Sequence, residues 1–198
     1  MEFPLNYPLT LSFRIVALAP QFSIKDANGK VVAYVKQKLF KLKESVTVFA
    51  DERQTLPLYT LKADRILDIS ARYHFADPQG ASLGSVKRHG MRSLFKTHYE
   101  ILEGDTPMMG LNEENPWVKV IDALFGELPI VGMFSGYLFH PVYLVTRQDK
   151  TVVMRMEKQP ALFESKFSVE KKASLTEIEE KRVLLSIIMM LLLERARG

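Results

Sequence analysis

The sequence contains no cysteine, which excludes disulfide bridges and thiolate metal sites and fits a reducing compartment. It also lacks a phosphate-binding glycine loop and a dinucleotide fingerprint. Its nearest approach to a nucleophile elbow, Gly132-Met-Phe-Ser-Gly136, is one residue out of register. Histidine is sparse: His74, His89, His98 and His140 never share metal-ligand spacing on one element, so no metal site is expected. The carboxylate pairs Asp51-Glu52 and Glu113-Glu114 are sequence neighbours that point apart in loops, a poor arrangement for acid–base work. Met1 to Pro8 has no basic stretch and carries two prolines, so a signal peptide is not expected. An excess of one charge is missing too. Lysine and arginine number 27 against 23 acidic residues, a net charge of +4, which permits contact with anionic surfaces without the concentrated basic stripe of a nucleic-acid binder. These absences set the expectation of a non-enzymatic, cytoplasmic protein without cofactor or nucleic-acid partner, with an enzyme whose site is scattered across strands on the barrel exterior as the alternative.

What the sequence does have is one apolar run. From Val183 to Leu193 every residue except Ser186 is apolar, inside a helical pattern from about Leu175 to Ala196. A helix apolar on all sides is enclosed by protein or lipid. At ~1.5 Å per residue the run spans roughly 16 Å, short of the ~30 Å bilayer core. Lys181-Arg182 and Glu194-Arg195 flank it closely. Enclosure by protein is therefore expected, and a tail anchor is the weaker alternative. Capping-box patterns Ser174-x-x-Glu177 and Thr176-x-x-Glu179 open the helix, with acidic residues at its start and Arg195 and Arg197 at its end.

Most of the remaining chain alternates with period two. Leu11, Phe13 and Ile15 form one inward set, Phe22 and Ile24 the next, then an Asp26-Ala-Asn-Gly29 turn and a return strand over 31–35. Phe22-x-Ile24-x-Asp26-x-x-Gly29-x5-Val35-Lys36 repeats without a gap as Tyr73-x-Phe75-x-Asp77-x-x-Gly80-x5-Val86-Lys87. A duplicated site is one reading. A duplicated hairpin is the plainer one, because an Asx turn and a positive-φ glycine account for both residues. Further strand patterns cover 46–49, 58–63, 67–75, 95–101, 137–147, 151–157 and 163–169. Asn115-Pro116 and the helical spacing of Trp117, Val120, Ile121, Leu124 and Phe125 predict a short helix near 116–125. The apolar stretch 128–139 reads as a connection closing one barrel end, with a membrane-dipping loop as the sharper alternative.

Eleven or twelve strands and one apolar helix suggest a closed mainly-β architecture over residues 1–198. A barrel of about eight strands fills itself with side chains, whereas about twelve leave a wider hole that a helix ~10 Å across suits. The stretches Phe22-Ser-Ile-Lys-Asp-Ala-Asn-Gly29, Tyr34-Val-Lys-Gln-Lys-Leu-Phe-Lys-Leu-Lys-Glu44 and Leu83-Gly-Ser-Val-Lys87 resemble the LURP-one-related proteins. That family shares the tubby C-terminal-like fold with tubby domains and phospholipid scramblases. The resemblance implies a twelve-stranded β-barrel around a hydrophobic C-terminal helix. It carries over no site: the phosphoinositide-binding residues of tubby domains have no position-by-position match, and the scramblase cysteine segment has no counterpart.

Two basic clusters are the candidate ligand-binding residues. Lys36, Lys38, Lys41 and Lys43 lie within eight residues, interleaved with Leu39, Phe40 and Leu42. Lys87, Arg88, Arg92 and Lys96 occupy the equivalent place in the repeat. They read either as the solvated faces of two hairpins or as a peripheral site for anionic phospholipid or phosphoinositide headgroups, or for a protein partner. The two form one patch if the hairpins are neighbours. With a plug inside the barrel, recognition is expected on the exterior alone.

Overall fold

A computed structural model describes residues 1, 3–16, 19–36, 45–65, 71–88, 98–114, 141–160 and 165–195. The alternating segments become twelve strands. They are β1 (Leu9–Val16), β2 (Ala19–Lys25), β3 (Val31–Lys36), β4 (Ser45–Phe49), β5 (Pro57–Ala63) and β6 (Arg72–Ala76). There follow β7 (Ser82–Arg88), β8 (His98–Glu103), β9 (Thr106–Glu113), β10 (Val142–Arg147), β11 (Val152–Gln159) and β12 (Ser165–Lys171). Each pairs antiparallel with the next, and β12 returns to β1, so the sheet closes. Closure leaves no unpaired edge.

Strand β9 is the element that sequence patterning missed, and it takes in Glu113, which was expected in a loop. Pro107 and Gly110 depress its strand signature. The strand persists because Met109 and Leu111 point inward, opposite Ile101 and Tyr99. Pro107 falls beyond a register shift at Ile101/Leu102, and bulges are among the few places in a sheet where proline is tolerated. The helix expected near 116–125, the apolar stretch 128–139 and the start of the 67–75 pattern lie outside the described residues.

The repeated hairpins, β2–β3 and β6–β7, match in detail. In each, the aspartate carboxylate accepts two backbone N–H groups: Asn28 and Lys30 on Asp26, Gln79 and Ala81 on Asp77. Gly29 and Gly80 take positive φ values of 79° and 86°. A register shift follows Ile24 in one and Phe75 in the other. The β10–β11 turn repeats the same backbone bonds, with Arg147 in the aspartate's place and Lys150 at φ 68° in the glycine's. A geometry that survives without the Asp and Gly is a folding device, so the plainer reading of the repeat holds.

Helix α1 (Glu177–Arg195) fills the barrel. Val183 to Leu192 is buried all round, against inward residues such as Leu11, Phe75, Ile101, Leu111 and Met154. Among the described residues no helix is long and apolar enough to cross a membrane. Ser186, the one polar residue of the run, donates its hydroxyl to the Arg182 carbonyl one turn back. Of the two capping boxes, Thr176-x-x-Glu179 forms: the Thr176 N–H and hydroxyl donate to Glu179, whose N–H donates to Thr176 Oγ1. Burial works upward on Glu179, but the Thr176 donors and Arg147 outweigh it and hold the carboxyl below its ordinary value.

The helix is not centred. Its nearest strands are β7, then β8 and β6, because Gly84 offers no side chain at the point of approach. The Arg182 side chain lies there, with Nε donating to the Leu83 carbonyl at 2.8 Å and Nη2 to Glu103 at 2.7 Å. Around the helix start the residues before β1 close the barrel. Tyr7 donates to the buried Glu180 at 2.7 Å, Lys171 reaches the same carboxylate, and Met1 and Leu5 pack on the core. Burial and the Glu180 carboxylate push the Tyr7 phenol well above its ordinary value.

Candidate functional site

The opposite mouth, around the end of α1, is built differently. Strands β1, β3, β5, β7, β9 and β11 end at this rim, and β2, β4, β6, β8, β10 and β12 begin there. Because α1 leans on β6–β8, space is left on the far side of the helix. A pocket of about 230 Å³ opens there. Its floor is Phe13, Phe22, Phe167 and Leu191, and its lip carries Tyr143, Lys158, Ser165 and Glu194. Phe13 and Phe22 meet edge to face at 6.3 Å. The expectation that the plug leaves only the exterior for recognition is therefore too narrow: one helix does not fill a twelve-stranded barrel to its rim.

Polar groups converge beside the pocket. Tyr99, fully buried, donates its hydroxyl to Glu194 at 2.9 Å. Arg88 lies 3.7 Å from the same carboxylate and stacks over the Tyr99 ring. Burial, then the Glu194 charge and hydrogen bond, raise the Tyr99 phenol. Burial and the charges of Glu113 and Glu194 push Tyr143 up to about 12. Burial and Glu194 also lift the Glu113 carboxyl above its ordinary value. The Glu194 charge makes a second charge at Glu113 harder to form.

The sequence-predicted site residues separate into three groups. Lys38, Lys41, Lys43, Arg92 and Lys96 lie outside the described residues. Lys36 and Lys87 stand on the barrel wall, Lys36 exposed at the end of β3 and Lys87 between its cross-strand partners Arg72 and Glu100. Arg88 turns inward instead. It follows Val86 on the same strand face and sits opposite Tyr99, so its charge is spent on Glu194. The β2–β3 and β6–β7 hairpins are not neighbours, since β4 and β5 stand between them. Four strand spacings put Lys36 and Lys87 roughly 19 Å apart around the wall. The stretches 37–44 and 89–97 nevertheless leave and re-enter the barrel at one rim, the one that carries the pocket.

Sequence reasoning did not single out Tyr99, Tyr143, Lys158, Ser165 or Glu194 as site residues. The signal for Lys158 was present. It continues the inward set Met154, Met156 in period two, a cation where an apolar residue is due. Arg88 after Val86 is the same signal. Among the described residues no group of three or more metal-ligating side chains converges.

No curated protein matches this sequence. An X-ray structure of a protein from Arabidopsis thaliana is similar over 94% of this chain and 91% of that chain, with a TM-score of 0.51 and 16% identity. At that identity the likeness concerns the fold. The LURP-one-related family profile matches residues 9–170, which takes in all but the last residue of β12. That match covers most of the sequence and nearly all of the barrel, so the chain belongs to the LURP-one-related family.

Proposed function

We propose that the protein is a non-enzymatic binding module that attaches peripherally to anionic membrane lipid through basic residues at the rim around the end of α1. The observation that carries this reading is topological. Lys38, Lys41 and Lys43 lie between β3 and β4, and Arg92 and Lys96 between β7 and β8, and both pairs of strands open on the same rim. Lys36 and Lys87 stand on the wall leading to it, while Arg88 drops out of the set. Each cation near an anionic surface contributes about 1 kcal/mol, so several of these seven meeting one surface would suffice for salt-sensitive attachment.

Co-sedimentation with vesicles tests the reading. Binding to phosphatidylserine or phosphoinositide vesicles, weakening as salt rises and lost in Lys38→Glu/Lys41→Glu/Lys43→Glu, is the expected result. Arg88→Gln leaves it unchanged. Absence of binding to every acidic vesicle at low salt would refute the lipid reading and leave a protein partner as the occupant of the basic rim.

A further inference from the structure

The mouth pocket differs in chemistry from the basic rim. Its floor is aromatic and aliphatic, Phe13, Phe22, Phe167 and Leu191, and its lip offers two charges of opposite sign. These charges are not equivalent. Glu194 already accepts from Tyr99 and faces Arg88. Lys158 has no hydrogen-bond or ion-pair partner for its ammonium among the described residues. Among the described residues, an occupant therefore meets a satisfied carboxylate and an unsatisfied cation. We propose that this pocket is a receptor for a single-chain anionic amphiphile, a carboxylate with eight to ten carbons, its chain against Phe13, Phe22, Phe167 and Leu191 and its head on Lys158.

Size sets the chain length. A cavity of about 150 Å³ takes benzene, about 25 Å³ per carbon. The pocket's volume of about 230 Å³ then holds about nine carbons at that ratio. This is too small for a two-chain phospholipid, so the site goes beyond the membrane attachment proposed above and stands independently of it. Placement follows from the offset of the helix. The barrel wall supplies Phe13, Phe22 and Phe167, the last turns of α1 supply Leu191 and Glu194, and the ligand occupies the gap between them on the side away from β6–β8.

Isothermal titration calorimetry with decanoate below its micellar concentration tests the proposal. Saturable one-to-one binding is expected, with decanol of equal chain length about tenfold weaker, the order of a charge-assisted hydrogen bond. Affinity should rise about fourfold per methylene from hexanoate to octanoate and level off beyond about nine carbons. Lys158→Gln should bring decanoate down to the decanol affinity without changing decanol. Ser165→Leu, which fills the lip, should abolish binding of both, and both variants should keep the wild-type urea midpoint. Lys38→Glu/Lys41→Glu/Lys43→Glu should lose acidic vesicles and retain decanoate, so failure of one site is distinguishable from failure of the other. The proposal is overturned by no saturable heat up to millimolar decanoate, by equal affinities for decanoate and decanol, by full binding in Ser165→Leu, or by loss of decanoate binding in the triple variant.

Discussion

Substituting Gly84 probes the placement of the helix inside the barrel. A methyl group there meets Arg182 Nε and the Leu102 carbonyl oxygen, each at 2.5 Å, and Arg182 Cδ at 2.9 Å. Neither obstacle yields cheaply. Leu102 is backbone of the adjoining strand, and Arg182 is pinned by the Leu83 carbonyl and Glu103. The residue also holds φ at +112°, a conformation that costs a side chain ~1–3 kcal/mol. Displacing Arg182 forfeits two charge-assisted bonds at a buried position, a further ~2–4 kcal/mol. Gly84→Ala should therefore lose about 3–7 kcal/mol of a total stability of order 5–15 kcal/mol. Gly80→Ala is the internal control, with φ +86° and open space around it, so only the backbone cost of ~1–3 kcal/mol applies. Urea unfolding followed by circular dichroism reads the difference. The Gly84 variant should have a midpoint lower than the Gly80 variant by roughly 0.7–4 M, given a slope of ~1–3 kcal/mol/M. Equal midpoints would refute the close approach of α1 to β7 at Arg182.

Three further outcomes follow from the same geometry. Ile188 has no exposed surface, so Ile188→Asp buries an unpaired carboxylate at a cost of several kcal/mol; a soluble variant with a cooperative unfolding transition would contradict burial of the helix. Glu179→Gln weakens the capping box and should cost ~1 kcal/mol at pH 7. The folded Glu179 carboxyl is held low, so its contribution is present above the ordinary carboxylate pKa and is lost as pH falls through the lower folded value. Chemical denaturation across pH 2 to 6 should accordingly show a shallower acid loss in the variant than in the wild type. Tyr59 and Tyr143 are both pushed up to about 12, by burial first and neighbouring carboxylates second. Raised phenols favour the folded state below the ordinary tyrosine value of about 10 and stop doing so as pH passes 12. Ultraviolet titration should show a late-ionising tyrosine fraction that shrinks in Tyr143→Phe, and an unchanged curve in that variant would contradict the buried mouth.

Period two and the exhausted polarity of 183–193 were enough to specify the architecture. A segment whose every face is apolar has to be surrounded, and about twelve half-buried strands are the right number to surround it. The duplicated Asp26/Gly29 and Asp77/Gly80 turns were legible for the same local reason, since each is decided within five residues. Strand β9 was not, because Pro107 and Gly110 weaken its local preference and pairing with β8 and β10 restores it. The site was less legible than the fold. The basic clusters are sequence-adjacent and easy to see, yet Arg88 belongs to the interior, a matter of strand phase and of the helix carboxylate that meets it. Tyr99, Tyr143, Lys158 and Glu194 come from four different elements, separated by up to 95 residues. Only closure of the barrel brings them to one rim, and only the lean of the helix towards β6–β8 leaves a pocket beside them. Local chemistry dictated which segments were strand and which was plug; where the plug leans, and what the leaning opens, belongs to contacts between residues far apart in the chain.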